Sequence, residues 1–101
     1  MPEYIPPEEV TSPRRDWSLI AILDDPRKAH QCVVALGRWQ NKPVLAMRWN
    51  GNRDNPIGNP QSRGLSTWFI LGERFNDAII ENLPSEEKRV LARNFIPRST
   101  K

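Results

Sequence analysis

The sequence predicts an α+β domain with three or four mainly antiparallel strands, a central hairpin, and two C-terminal helices packed on the sheet. Three apolar runs of strand length, WSLIAIL, CVVALGRW and PVLAMRW, lie between residues 17 and 49 and are separated by polar segments. After Gly72, apolar residues recur at helical spacing. Strands followed by helices are typical of the α+β class, and 101 residues suit one domain.

The composition of residues 1–13 predicts an N-terminal arm that is separate from this domain. Residues 1–13 contain four of the ten prolines and three glutamates, so they have few backbone donors and little apolar surface to bury. We expect an extended, mobile arm over 1–13 and a single α+β domain over 14–98. Tyr4 and Ile5 are the arm residues best suited to dock on the core or on a neighbouring subunit.

The first strand is predicted over 17–23, where an apolar run ends at two aspartates and Pro26. The segment after it has two interpretations. A helix framed by Asp25 as N-cap and Gly37 as terminator is one of them. We favour a short helical turn over 26–31 followed by a strand, because the Val-rich run leads into a turn and a matching apolar segment.

The central hairpin joins CVVALGRW to PVLAMRW. Pairing Trp39 with Val44 places Leu36 opposite Met47, so that the large apolar side chains share one face. The opposite face carries mostly small residues, namely Val33, Ala35, Gly37, Trp39, Val44, Ala46 and Arg48. Such a shallow face suits a closely packed helix or a partner.

Residues 50–64 form a long polar excursion with four Asn, one Gln, three Gly and two Pro. These residue types favour turns and left-handed backbone, so a compact series of turns is expected. Loops of this length in small domains are usually functional or disordered. An aromatic strand over 67–71 follows at once, which favours an ordered excursion.

Two helices are predicted at the C-terminal end. The apolar positions of the first are Phe75, Ala78, Ile79 and Leu83. Pro84 ends it, and Ser85 is a suitable N-cap for the second helix. The buried stripe of the second helix is predicted to contain Val90, Leu91 and Phe95.

Composition excludes several classes of protein. Hydrophobic residues make up 38% of the chain, and no apolar run approaches the roughly 18 residues that span a bilayer, so no membrane partner is expected. The opening MPEYIPPEEV differs from a secretory signal, and we expect a cytoplasmic protein. With one cysteine, Cys32, neither an intramolecular disulfide nor a Cys-rich zinc site is expected, and we predict no cofactor.

Candidate catalytic groups are sparse. His30 and Cys32 would share a face on a strand, but a nucleophile also needs an orienting partner and an oxyanion site, so a buried thiol beside a surface histidine is the favoured interpretation. Asp24 and Asp25, which precede a proline, read as a turn and cap. No Walker or dinucleotide-type phosphate loop is present. The sequence therefore favours a non-enzymatic protein over an enzyme.

A basic, amide-rich stretch is the remaining candidate. Residues 38–63 contain five basic residues and one acid, a local charge of +4 against +3 for the whole chain. Arginine and lysine neutralise phosphates, amides read base edges, and tryptophan offers a stacking surface. The predicted site comprises Arg38, Trp39, Lys42, Arg48, Arg53, Asn59, Gln61 and Arg63. The other three tryptophans, at 17, 49 and 68, are predicted to be core residues.

The competing interpretation of this stretch is structural, with Arg53 paired to Asp54 and Arg63 bonded to loop carbonyls. The leading hypothesis is a small non-enzymatic domain that binds an anionic partner, DNA or RNA, through the hairpin tip and the loop. An alternative is a protein-interaction module or homodimer that uses the face around Trp39 and the arm. A third is a small-molecule-binding protein or enzyme with the loop as a lid.

Overall fold

Three eight-residue antiparallel strands form the body of the sheet. They are β1 (Trp17–Asp24), β2 (Cys32–Trp39) and β3 (Lys42–Trp49). The computed structural model describes residues 3–99.

Three two-residue strands complete the β structure. β6 (Phe69–Ile70) lies along the outer edge of β3, which gives the order β1-β2-β3-β6. β4 (Gln61–Ser62) and β5 (Leu65–Ser66) form a separate small hairpin. With α1 (Asn76–Glu81) and α2 (Glu86–Phe95) following the strands, the α+β prediction is confirmed.

The β2–β3 hairpin closes through a two-residue turn. Gln40 and Asn41 have φ angles of 52° and 71°, which is the type I′ conformation that matches strand twist. Trp39 therefore pairs with Lys42, and the predicted pairing with Val44 is wrong by two residues. A shift of two preserves the alternation of side chains, so the predicted division of β2 and β3 into two faces holds.

One face of the sheet, the helix face, packs against α1 and α2. Its buried cluster contains Leu23, Val34, Leu36, Leu45, Ile80, Leu83, Ala92 and Ile96. In α2 the buried position is Ala92, whereas Val90 is 56% exposed, so the predicted stripe is wrong at that residue. The Ser85 cap is confirmed, since its side chain accepts a hydrogen bond from the Lys88 backbone N–H at 3.3 Å.

The opposite face, the arm face, is filled from within the chain. Its buried cluster contains Val10, Trp17, Val33, Ala35, Ala46 and Trp68. The indole N–H of Trp68 donates to the Val10 carbonyl at 2.8 Å, and the Ile5 N–H donates to the Pro56 carbonyl at 2.9 Å. The described part of the arm, residues 3–13, thus covers the shallow face that the sequence left open. Residues 1 and 2 lie outside the described residues.

The segment between β1 and β2 is a turn, and the predicted helical turn over 26–31 is wrong. The Asp25 carboxylate accepts the Arg27 N–H at 2.8 Å and thereby closes a tight local turn. Arg27 and His30 have φ angles of 60° and 64°, which a helix does not allow.

Asn50 fastens this turn to the end of β3. Its backbone exchanges hydrogen bonds with Gln31 and His30, and its side-chain amide donates to the Lys28 carbonyl at 3.1 Å. Two loops are therefore held together at this end of the sheet. Among residues 3–99, no helix is both long and apolar enough to cross a bilayer.

Candidate nucleic-acid interface

The predicted site residues divide between the two ends of β3. We call the end at the Gln40–Asn41 turn the hairpin end and the end at Cys32 and Trp49 the open end. Seven residue steps separate Lys42 from Trp49, which is about 23 Å at the usual rise of a strand. Arg38, Trp39 and Lys42 lie at the hairpin end. Arg53 and Asn59 follow β3 and lie at the open end.

At the hairpin end the predicted residues are accessible. Arg38 is exposed, and its guanidinium carbon lies 5.6 Å from the ring centroid of Phe95. Lys42 is exposed and forms a 3.7 Å ion pair with Glu73. Trp39 is half-buried and packs against the arm-face cluster.

Further cations lie at the hairpin end that the sequence did not assign to the site. The Gln40 N–H donates to the Asp16 carbonyl at 2.8 Å, which brings the exposed Arg14 and Arg15 beside the turn. The Lys42–Glu73 ion pair brings the neighbouring Arg74 to the same end. The guanidinium carbon of Arg74 lies 4.6 Å from the ring centroid of Phe75.

The hairpin end is therefore strongly basic. Its five exposed cations are Arg14, Arg15, Arg38, Lys42 and Arg74. Glu73 pairs with Lys42, and Asp16 accepts a hydrogen bond from the Gln40 amide of the turn, so counting both acids leaves a local charge of +3. This local charge equals the net charge of the whole chain. Three of the five cations, Arg14, Arg15 and Arg74, lie outside the basic stretch 38–63.

Arg48, another predicted site residue, is inside the molecule. It is 2% exposed, and its guanidinium donates to the backbone carbonyls of Thr67 and Ile57. No carboxylate among the described residues pairs with it. Burial therefore lowers the pKa of Arg48 to about 10. The side chain holds the long excursion to the end of β3.

At the open end, two predicted residues are engaged within the protein. Gln61 donates from its amide to the Gly58 carbonyl at 2.9 Å and to the Asn55 side chain at 3.2 Å. Arg53 forms a 2.8 Å ion pair with Glu3 of the arm, rather than with the adjacent Asp54.

Asn59 and Arg63 face outward. The backbone of Asn59 pairs with Trp49, and its side chain is exposed. Arg63 occupies the turn between β4 and β5 with a φ of 52°, and it forms no ion pair with another residue in the described range.

Charge at the open end is close to balanced. Two glutamates of the arm form ion pairs at this end, Glu3 with Arg53 at 2.8 Å and Glu8 with Arg27 at 3.4 Å. Asp25 and Asp54 add negative charge in the same loops. The concentration of basic residues is thus a property of the hairpin end.

A small cleft lies between the two loops of the open end. It measures about 290 Å³, and it is lined by His30, Trp49, Asn50, Gly51, Asn52, Asn55, Gly58 and Asn59. The side-chain oxygen Oδ1 of Asn52 accepts the Asp54 and Asn55 N–H groups, so the side-chain NH₂ of Asn52 donates to His30 Nε2 at 3.0 Å. The lining is polar rather than the apolar pocket that a lid over a small molecule requires.

The sequence prediction also fails for Trp49. It was predicted to be core and is 53% exposed. Trp49 stands between Cys32 and Asn59 on the helix face, because directly paired residues project to the same side. Phe69 lies in the neighbouring row opposite Met47 and is 62% exposed. The helices cover the hairpin half of this face and leave the corner of β3 and β6 open.

Cys32 and His30 do not form a dyad on one strand. His30 precedes β2 in a left-handed conformation, and Cys32 is the first residue of β2. Burial, with a further contribution from Asp24, raises the pKa of the Cys32 thiol. Within residues 3–99, no group of three or more His, Cys, Asp or Glu side chains could hold a metal ion.

Comparison of the chain with models of protein families, with curated proteins and with solved structures returns no match. Function is therefore inferred from the geometry of this chain.

Proposed function

We propose that the protein is a small non-enzymatic domain that binds an anionic partner, in the first place DNA or RNA, through the hairpin end. The observation that carries this proposal is the group of five exposed cations around one turn, where Glu73 pairs with Lys42 and Asp16 is bonded to Gln40 of the turn. A cytoplasmic location forms part of the proposal.

The arrangement suits an extended polyanion better than a small anion. The five cations come from three separate segments, namely the turn before β1, the β2–β3 hairpin and the turn after β6. Lys42 and Arg74 line one open cleft beside α2, whereas Arg14, Arg15 and Arg38 are not part of its lining, so the five cations do not converge on a single site. Phosphates spaced along a backbone can meet such a surface one at a time, and each contact releases a condensed counterion.

Aromatic side chains accompany the cations at this end. Trp39 is half-buried beside the turn, and Phe75 is 46% exposed under Arg74. Arginine stacked on an aromatic ring keeps its charge while losing conformational freedom, so less entropy is lost on binding a phosphate. Of the predicted residues, Arg38 and Lys42 are assigned to this surface, and Asn59 and Arg63 are assigned to a second contact at the open end.

The proposal is tested by titrating the full chain with fluorescein-labelled single-stranded and duplex oligonucleotides at two salt concentrations. Binding that weakens steeply with salt is expected. For five phosphate contacts, the slope of log K against log salt is about −3.5 on single strands and about −4.5 on duplex DNA. An absence of binding at low salt overturns the proposal, as does binding with a slope near zero.

A further inference from the structure

Two exposed aromatic residues at the open corner of the helix face, Trp49 and Phe69, stand diagonally to each other on neighbouring strands. Phe69 is paired with Met47, and Trp49 is two residues further along β3. Residues in this diagonal relationship are about 7–8 Å apart and within reach of aromatic side chains. Both rings are more than half exposed, whereas Leu45 on the same face of β3 is fully buried under the helices.

The polar groups around the corner suit a nucleobase. Asn59 stands beside Trp49 on the same face and is exposed, so its amide can both donate to and accept from a base edge. Arg63 lies in the β4–β5 turn, and Lys28 lies in the turn that Asn50 joins to the end of β3; both are exposed, and neither forms an ion pair within residues 3–99. Trp49, Phe69 and Asn59 are uncharged, and two of the four acids named at the open end, Glu3 and Glu8, are paired with Arg53 and Arg27.

A second copy of the chain fits the corner poorly. A stable interface buries about 800 Å² on each partner. Two aromatic side chains of about 150–250 Å² each, half of which is already covered, supply only a fraction of that area. β6 has two residues, so it offers little edge for strand addition.

We infer that Trp49 and Phe69 form a stacking platform for two unpaired bases of a single-stranded nucleic acid. The inference rests on the proposed function and adds the form of nucleic acid that is bound. Bases inside a duplex present their edges to the grooves and not their faces, so the platform selects single strands. The corner and the hairpin end lie about 23 Å apart, a distance that about seven nucleotides span at duplex rise.

The test uses the full chain and a fluorescein-labelled 12-nucleotide oligo(dT), with oligo(rU) of the same length and a 12-base-pair duplex as further probes. Fluorescence anisotropy gives the affinity for each. The variants are Trp49→Leu and Phe69→Leu, which keep an apolar side chain but remove the ring. Trp49→Phe keeps a ring. Val90→Ala is the matched control, because Val90 is equally exposed but lies on α2.

Wild type is expected to bind oligo(dT) or oligo(rU) more tightly than the duplex. Each Leu variant is expected to lose about 5- to 140-fold in affinity for the single strand, the range that stacking energies per base imply. Trp49→Phe and Val90→Ala should stay within about threefold of wild type, since they retain the ring or lie elsewhere. Quenching of tryptophan fluorescence by oligo(dT) should fall in Trp49→Phe.

Each alternative outcome has a separate meaning. Equal single-strand affinity in wild type and both Leu variants overturns the stacking platform but leaves the proposed function standing. Tighter binding of the duplex than of either single strand does the same. If wild type binds no nucleic acid at low salt, the proposed function and the inference both fail. Sedimentation of wild type as a dimer that Trp49→Leu dissociates also overturns the inference, because a second copy would then cover the corner.

Discussion

The guanidinium carbon of Arg48 lies 6.0 Å from the ring centroid of Trp68, and the same guanidinium donates to the carbonyls of Thr67 and Ile57. A charged side chain near the end of β3 thus joins Ile57, in the middle of the turn-rich excursion over 50–64, and Thr67, just after it, to the sheet. The Thr67 carbonyl receives a charged donor, and so does the Ile57 carbonyl, which also accepts from the Ser66 hydroxyl at 2.7 Å. This explains why the excursion is ordered although it contains little regular structure.

Replacement of Arg48 by Met is expected to destabilise the fold by about 1–3 kcal/mol, because it leaves the Thr67 carbonyl buried without a donor. Arg48→Lys should also destabilise it, since an ammonium group lacks the planar fork that reaches two carbonyls. Urea unfolding gives the free energy. The control is Arg53→Met, whose exposed ion pair with Glu3 contributes about 0–1 kcal/mol. Equal stability of Arg48→Met and wild type would contradict this role.

A methyl group at Gly37 is expected to disrupt the arm face. A Cβ there would lie 2.3 Å from Cη2 of Trp17 and 2.7 Å from the Ser18 carbonyl oxygen. Gly37→Ala should therefore cost about 1–3 kcal/mol or more in thermal or urea unfolding. Gly72→Ala is the matched control, because a Cβ at Gly72 would lie 3.6 Å from its nearest neighbour, in ordinary contact. A similar stability for the two variants would show that Trp17 does not pack as described.

The structural origin of these two predictions is only partly visible in the sequence. Alternation along β2 and β3 placed Arg48 on the face of small residues, and that placement is correct. What covers the face depends on Trp17, Trp68 and Val10, which lie 20 residues or more from Arg48 along the chain. Local patterns carry no information about contacts over such separations.

The candidate site shows the same limit. The hairpin tip and the loop after β3 are close in sequence, but a strand of eight residues separates them in space. The length of the predicted strand, multiplied by the usual rise per residue of a strand, indicates this separation from the sequence alone. The approach of Arg14, Arg15 and Arg74 to the hairpin end depends on tertiary contacts made by Asp16 and Glu73. The exposure of Trp49 depends on how far the helices extend over the sheet.

The raised pKa of Cys32 predicts a slowly reacting thiol. Burial is the main cause and the Asp24 carboxylate adds to it, so the folded protein holds less thiolate at pH 8 than the unfolded chain does. Iodoacetamide should modify Cys32 more slowly in buffer than in urea. Asp24→Asn should react faster than wild type when folded and at the same rate in urea. Identical rates for folded and unfolded wild type would refute the prediction.

The Asp77 carboxylate makes part of the free energy of unfolding depend on pH in the acidic range. A side-chain hydrogen bond from Arg93 at 2.7 Å, together with the Ser99 N–H at 3.2 Å, lowers the pKa of Asp77 below its ordinary value near 3.8. The stabilisation is therefore present above that ordinary value and is lost as pH falls through the lower folded value. Asp77→Asn should be less stable than wild type at pH 7, and the difference should shrink below about pH 4. Chemical denaturation at several pH values measures it, and a difference that is constant with pH would argue against the pair.

The central claim is that phosphates are bound at the hairpin end, and its most direct test is the salt dependence of oligo(dT) affinity in two variants with the same change in charge. Arg38→Gln with Lys42→Gln removes two cations from the hairpin end, whereas Arg27→Gln with Arg53→Gln removes two that pair with arm glutamates at the open end. We predict that the first pair reduces the magnitude of the log K against log salt slope by about 1.4, and that the second leaves it nearly unchanged. Equal slopes in both variants, or a loss confined to the second pair, would contradict the account.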